Sequence, residues 1–242
     1  PPRSTLFPYT TLFRSWATGP WVMEPLAFAL GDHWGIGHSS WEALLGDGPH
    51  CDPAEHLERL RPYEESRCLI GWSLGAMLAM ETVLRRPGVW DHLILVAPTL
   101  CMGGFGGVTG TSDSVLRAMR LGLRSDRDGI LRAFARLCLE PEQGGEFEER
   151  MVSEGQVEDN LEPLEAGLDY LLRTDLTDRI QGLEIACTVI SGREDRVIPW
   201  RAGEETADRC GGSFHLLRGC GHALPWTAAG AVARIIRDEV GE

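Results

Sequence analysis

The stretch Arg67-Cys68-Leu69-Ile70-Gly71-Trp72-Ser73-Leu74-Gly75-Ala76-Met77-Leu78-Ala79-Met80 decides how the rest of the chain is read. Its first half is an apolar run of strand length, and the part from Ala76 to Leu84 reads as helix. Between them lies Gly71-Trp72-Ser73-Leu74-Gly75, a Gly-x-Ser-x-Gly match in the strand, turn, helix context that gives such a match meaning. A turn this sharp forces its apex residue toward unfavourable backbone angles and brings other backbone within contact distance on either side. Small residues at Gly71, Gly75 and Ala76 remove those clashes. Ser73 is therefore expected at a sheet edge with its hydroxyl exposed, at the positive end of the helix that follows.

Downstream, the helix is expected to end near Arg86-Pro87-Gly88, and Leu93-Ile94-Leu95-Val96-Ala97 is a continuous apolar run. Helix then strand, repeated, predicts an α/β fold with a mostly parallel, doubly wound sheet covered on both faces. Residues 100–182 break the pattern, with a Gly-rich entry and several helical segments but no convincing strand, and read as an inserted helical lid. Ala186 to Ser191 resumes the sheet, Ala202 to Arg209 is a helix, Phe214 to Leu217 a strand, and Thr227 to Val240 a closing helix. Upstream, Trp21 to Leu30 has helical spacing, Gly35 to Ser40 reads as a loop, and Asp52-Pro53-Ala54-Glu55 reads as a capped helix start leading to Leu60.

The 242 residues are enough for one domain with a substantial core. No apolar run reaches membrane-spanning length. A net charge of -13 argues against nucleic acid as a partner, because phosphate contacts need a basic face. All 23 basic residues are arginine, which removes the amine that Schiff-base chemistry and phosphate-loop nucleotide binding require. The seven cysteines are scattered and never form Cys-x-x-Cys, so they read as reduced core residues of a cytoplasmic protein, not as a disulfide or zinc framework. Residues 1–15 resemble the translation of a short-read sequencing adapter and are set apart, leaving 16–242 as the expected domain.

A serine hydroxyl is a weak nucleophile at neutral pH and needs a base, held in the right tautomer by a carboxylate. In a parallel sheet both belong on loops leaving the carboxyl ends of later strands. Gly192-Arg193-Glu194-Asp195 leaves one such strand and Gly219-Cys220-Gly221-His222 the next. Asp195 is preferred over Glu194 because its shorter side chain suits a fixed loop position, with Val197-Ile198-Pro199 anchoring the loop from behind. His222 is preferred over the other histidines for its Gly-rich loop late in the chain. Ser73, Asp195, His222 is the order expected of this arrangement, and it needs no metal or cofactor.

On these residues the chain resembles the α/β-hydrolases, and within them is most similar to the pimeloyl-acyl-carrier-protein methyl ester esterases of biotin synthesis. Gly71 to Gly75 matches that family's nucleophile turn, Gly167 to Leu176 the helix leaving its lid, and the Asp195 and His222 loops its triad. The resemblance implies an oxyanion hole from the backbone N–H groups of Leu74 and Trp16, with Trp72 and Phe134 contacting substrate. Phe134 reads equally as a helix-packing core residue. Family members show His-Gly before this tryptophan where the chain has Arg14-Ser15, a departure that fits truncation at the adapter junction.

Arg117, Arg120, Arg124 and Arg127 recur at steps of 3, 4 and 3, on one helix face, and Arg132 and Arg136 extend the patch. Only Asp126 and Asp128 oppose these six between Val115 and Arg136, a local charge of +4. The face reads either as a dock for an acidic acyl carrier protein or as a solvated helix surface, and the acidic segment from Glu140 to Glu165 as solvated. The resulting expectation is a serine carboxylic-ester hydrolase acting on a small-molecule or carrier-linked acyl ester, without nucleic acid or membrane as a partner. Thioester or C–C bond hydrolysis by the same triad, and a binding protein that kept the fold without turnover, are the alternatives.

Overall fold

The computed structural model describes residues 20–30, 36–39, 68–102, 112–156 and 161–241. Among these residues five strands, β1 (Ile36–Ser39), β2 (Cys68–Trp72), β3 (His92–Val96), β4 (Ala186–Gly192) and β5 (Ser213–Leu217), pair in chain order. Every neighbouring pair is parallel, with Leu69 opposite Leu93, Val96 opposite Ile190 and Gly192 opposite Leu217. Because both faces are covered, the central strands carry apolar residues on successive positions instead of alternating, as in Leu93 to Val96, with His92, Thr188 and Ser191 as buried polar exceptions. Ile70, Trp72, Ile94, Val96 and Ile190 face one core cluster, while Leu69, Leu93, Leu95 and Val189 face another.

The first cluster is closed by α1 (Pro20–Leu30) and by α9 (Ala229–Val240), which the short α8 (Leu224–Thr227) precedes. The second is closed by α2 (Leu74–Arg85) and α7 (Trp200–Cys210). Between β3 and β4 the described residues include four helices, α3 (Asp113–Ser125), α4 (Arg127–Leu139), α5 (Gly145–Gln156) and α6 (Glu162–Arg173). The chain enters and leaves this helical unit through a paired neck. Cys101 and Asp175 form an antiparallel bridge, and the Leu176 N–H donates to the Leu100 carbonyl at 2.9 Å.

Two expectations are corrected. Ile36 to Ser39 is a strand, not a loop: glycine, histidine and serine carry no strand signal, and pairing with β2 supplies the order that composition does not. The closing helix is two helices, because Ala228 at φ −128° and ψ 27° breaks the run between Thr227 and Ala229. The helix start at Asp52, the segment 1–15, Trp16 and Cys51 lie outside the described residues. The other six cysteines are free thiols, all buried except the partly exposed Cys220. Among the described residues no helix is long and apolar enough to cross a membrane.

Helix α2 is buried from Leu74 through Val83, so its Glu81 is a carboxylate in the core, 5% exposed. Arg179 Nη1 at 2.7 Å and the Tyr170 hydroxyl at 3.1 Å donate to it, tying α2 to α6 and to the segment after it. At the opposite end of the sheet from Ser73, His92 at the start of β3 is buried beside Thr188 of β4, with Nε2 2.8 Å from Oγ1. Thr188 donates in turn to Glu239 of α9, so the imidazole is the donor in this pair. Burial lowers the His92 pKa from its ordinary 6.5, and the nearby Glu239 opposes this only in part.

The folded state therefore refuses a proton that the unfolded chain accepts. The stability this histidine contributes is complete above pH 6.5 and is lost as pH falls below that value. The midpoint of urea unfolding is expected to fall between pH 7.5 and 5.5 (about one unit either side of an ordinary histidine). In His92→Gln, whose amide can donate to Thr188 without titrating, the fall is smaller.

Candidate active site

Ser73 stands between β2 and α2 at φ 54° and ψ −121°, a conformation that costs a non-glycine residue about 1–3 kcal/mol. Two features hold it there. Its N–H donates to the Val96 carbonyl at 2.9 Å, extending the β2–β3 ladder by one bond. Its carbonyl accepts from the Ala76 N–H at 2.9 Å, closing the first turn of α2. The turn closes only because Gly71 lacks a side chain: a Cβ there would meet the Gly75 oxygen at 2.4 Å and the Ala76 Cα at 2.6 Å. Leu74 opens α2, so its N–H is among those that find no acceptor within the helix.

Asp195 follows β4 by three residues and His222 follows β5 by five, which puts both at the carboxyl rim of the sheet beside Ser73. Their side chains are buried, at 1% and 0% exposure. Asp195 Oδ1 accepts from the N–H groups of Val197 and Ile198, each at 2.8 Å, which is how the segment that the sequence marks as an anchor fixes the carboxylate. Oδ2 lies 2.8 Å from His222 Nδ1, and His222 Nε2 lies 2.8 Å from Ser73 Oγ. With Nδ1–H donating to the carboxylate, Nε2 is the acceptor and the serine hydroxyl the donor. Glu194, the rejected candidate, instead accepts from the Gly219 N–H at 2.8 Å and props the His222 loop.

The His222 loop is also held by the helical unit, through contacts the sequence reading did not anticipate. The Cys138 carbonyl, in the last turn of α4, accepts from the N–H groups of His222 at 3.0 Å and Ala223 at 2.9 Å. A carbonyl so near a helix end has no partner within the helix, and the loop supplies two donors. The approach is close enough that a Cβ on Gly221 would stand 1.9 Å from the Glu140 oxygen. The signal in the sequence was Gly221 itself, a glycine directly before the histidine. The Cys138 thiol is fully buried, and burial, reinforced by the charge of Asp195, pushes its pKa well above 9.0.

Trp72, expected to contact substrate, is 2% exposed, and its Nε1–H donates to the His222 carbonyl at 2.8 Å, so its polar group is spent inside the protein. Phe134 is half-buried and packs against the first core cluster from α4, one helical turn before Cys138. Trp16 lies outside the described residues.

The arginine face is paired with carboxylates of this chain. Arg120 pairs with Asp169 at 2.6 Å and Arg124 with Glu165 at 2.5 Å, both on α6. Arg132 pairs with Glu149 at 2.6 Å and Arg136 with Glu148 at 2.8 Å, both on α5, while Arg117 reaches Asp113 at 3.6 Å within α3. Hydrogen bonds from these arginines hold the Glu148, Glu149 and Glu165 carboxyls below their ordinary pKa. Asp126 accepts from the Gly129 N–H at 3.0 Å as the N-cap of α4. Within the acidic stretch, Glu148, Glu149 and Glu165 are thus counter-charges of the arginines. Local summation misses this because the partners sit on other helices, up to 49 residues away.

Residues 8–235 match the sequence profile of the Alpha/beta hydrolase family. The chain belongs to that family. It is similar to the pimeloyl-acyl-carrier-protein methyl ester esterase of Pseudoalteromonas atlantica, 24% identical over 203 residues that cover 79% of this chain and 78% of the relative. The enzyme of the same name from Methylococcus capsulatus is 29% identical over 177 residues, 70% of this chain and 68% of the relative. Among solved structures, an esterase from Exiguobacterium antarcticum superposes with a TM-score of 0.78 at 16% identity, covering 95% of this chain and 90% of that one. That last likeness is one of fold.

Gly221→Ala forces backbone against backbone and is expected to cost about 1–3 kcal/mol in chemical denaturation. Gly230→Ala adds a Cβ in open space within α9 and should raise stability by up to about 1 kcal/mol.

Proposed function

We propose that this α/β hydrolase is a serine-dependent carboxylic ester hydrolase. The observation that carries the proposal is the unbroken hydrogen-bonded line from Asp195 through His222 to Ser73, two contacts of 2.8 Å each, ending on a serine held at positive φ. Ser73 Oγ attacks the ester carbonyl as its proton passes to His222 Nε2. The C=O electron pair moves to oxygen, and the Leu74 N–H stabilises that charge. The tetrahedral species collapses as the C–O bond breaks, and His222 returns the proton to the departing alcohol. Water then repeats the sequence: His222 takes its proton, its oxygen attacks the acyl carbon, and the acid leaves as Ser73 recovers its hydrogen. Asp195 stays ionised and holds the imidazole throughout.

A second oxyanion donor, Trp16, is carried over from the resemblance. The helical unit between β3 and β4 is read as a lid over this rim, and its paired neck at Cys101 and Asp175 supports that reading. The names of the relatives point to the methyl ester of a pimeloyl group on an acyl carrier protein as the substrate. Because Arg117, Arg120, Arg124, Arg132 and Arg136 are paired with this chain's own carboxylates, a carrier would have to exchange for those partners or bind elsewhere. The buried free thiols support a reducing, cytoplasmic setting.

A fluorophosphonate probe should label the wild type and not Ser73→Ala. Hydrolysis of p-nitrophenyl butyrate should fall by about a million-fold in Ser73→Ala and by about 10⁴-fold in Asp195→Asn. Methanol release from pimeloyl-carrier-protein methyl ester, measured against the free dimethyl ester, tests the substrate. Equal kcat/KM on the two would remove the carrier protein from the proposal.

A further inference from the structure

We infer that Trp72 is a positioning residue for His222, acting through its indole N–H. The inference rests on the hydrolytic reading of the triad given above. Trp72 ends β2 and immediately precedes Ser73, so its backbone moves with the nucleophile. Its Nε1–H reaches across 150 residues of sequence to the main-chain carbonyl of His222 at 2.8 Å. The two rings lie 5.3 Å apart, tilted by 43°.

The main chain of His222 is therefore gripped at both of its polar groups. Its N–H is held by the Cys138 carbonyl of the helical unit, and its C=O by the indole that adjoins Ser73. A tryptophan side chain has only two rotatable torsions, so the link from the Ser73 backbone to the His222 backbone is short and stiff. The distance between Oγ and Nε2 is then set in part by a strut between neighbours of the two reacting groups.

Packing by itself does not account for this arrangement. Trp90 is also buried, at 4% exposure, and its Nε1 has no hydrogen-bond partner among the described residues. The fold thus carries a buried indole with an idle N–H at one position. At the position next to the serine, it aims the N–H at the base's own carbonyl. Substrate contact is equally poor as an explanation, because the Trp72 ring is 2% exposed.

The test is Trp72→Phe, which keeps an aromatic ring and removes the donor, assayed on p-nitrophenyl butyrate beside wild type and Ser73→Ala. The expected result is a kcat lowered about 10- to 100-fold, the scale of a small misplacement of a catalytic group. KM should stay within about two-fold, since substrate binding is untouched. In proton NMR, the far-downfield resonance of the His222 Nδ1–H shared with Asp195 should broaden. A folded Trp72→Phe with wild-type kcat, or one whose loss lies in KM alone, overturns the inference. Should Trp72→Phe fail to fold, 3-benzothienylalanine introduced at position 72 preserves the ring shape with sulfur in place of N–H, and the same criteria apply. Turnover by the wild type that Ser73→Ala abolishes establishes the hydrolytic reading separately. A wild type without such turnover overturns that reading and this inference with it.

Discussion

At Ser73 the backbone occupies φ 54°, where L-residues clash with themselves, and the surrounding fold has to supply the energy that keeps it there. The supply is local and specific. One added ladder bond to Val96 pins the residue to β3, the first turn of α2 closes on its carbonyl, and Gly71 leaves room for the backbone of Gly75 and Ala76. The outcome is a hydroxyl lifted off the sheet rim at the head of a buried helix. Everything else at the rim is placed relative to that point. A parallel sheet delivers the Asp195 and His222 loops to the same rim because its strands all end on the same side.

The helical unit between β3 and β4 is joined to this machinery at two places. Its α4 terminus lends the Cys138 carbonyl to the His222 loop, and its α6 packs Tyr170 and Leu171 onto Leu74 and Leu78 at the start of α2. Tyr170 and Arg179 then share the buried carboxylate of Glu81. The unit thus touches the Ser73 helix and the His222 loop at once, so its position is coupled to the line of hydrogen bonds from Asp195 to Ser73 through direct contacts. Its own cohesion comes in part from arginine pairs with aspartate and glutamate that bridge α3 to α6 and α4 to α5. Paired this way, the charges define how the helices sit against one another, and contribute little net field to the outside.

Much of this was legible in the residues. The apolar runs at Leu93 to Ala97 and Ala186 to Ser191 announce strands covered on both faces, and the Gly-x-Ser-x-Gly turn announces where Ser73 stands. Asp195 was separable from Glu194 by side-chain length, and the structure gives the two carboxylates different partners, His222 for one and the Gly219 N–H for the other. What was not legible has a common feature. Ile36 to Ser39 became a strand through backbone pairing with β2, which leaves no mark on composition. The break at Ala228 likewise has no proline or glycine to signal it.

The contacts of Trp72, Cys138 and the arginines that bridge helices were hidden for a further reason: each depends on a partner that is distant in sequence. An indole N–H, a helix-end carbonyl and a guanidinium are groups whose bonding need is known from the residue type, but whose partner is chosen by tertiary packing. The sequence by itself determined the strands from Cys68 onward and most of the helices, and singled out Ser73, Asp195 and His222, because those follow from local periodicity and from turn chemistry that acts within a few residues. Only the tertiary structure decided that Trp72 and Cys138 hold His222 from opposite ends of its backbone, and that the arginine face is already occupied. Hydrogen bonds and ion pairs form between whichever groups the packed core brings within about 3 Å, and sequence separation plays no part in that choice.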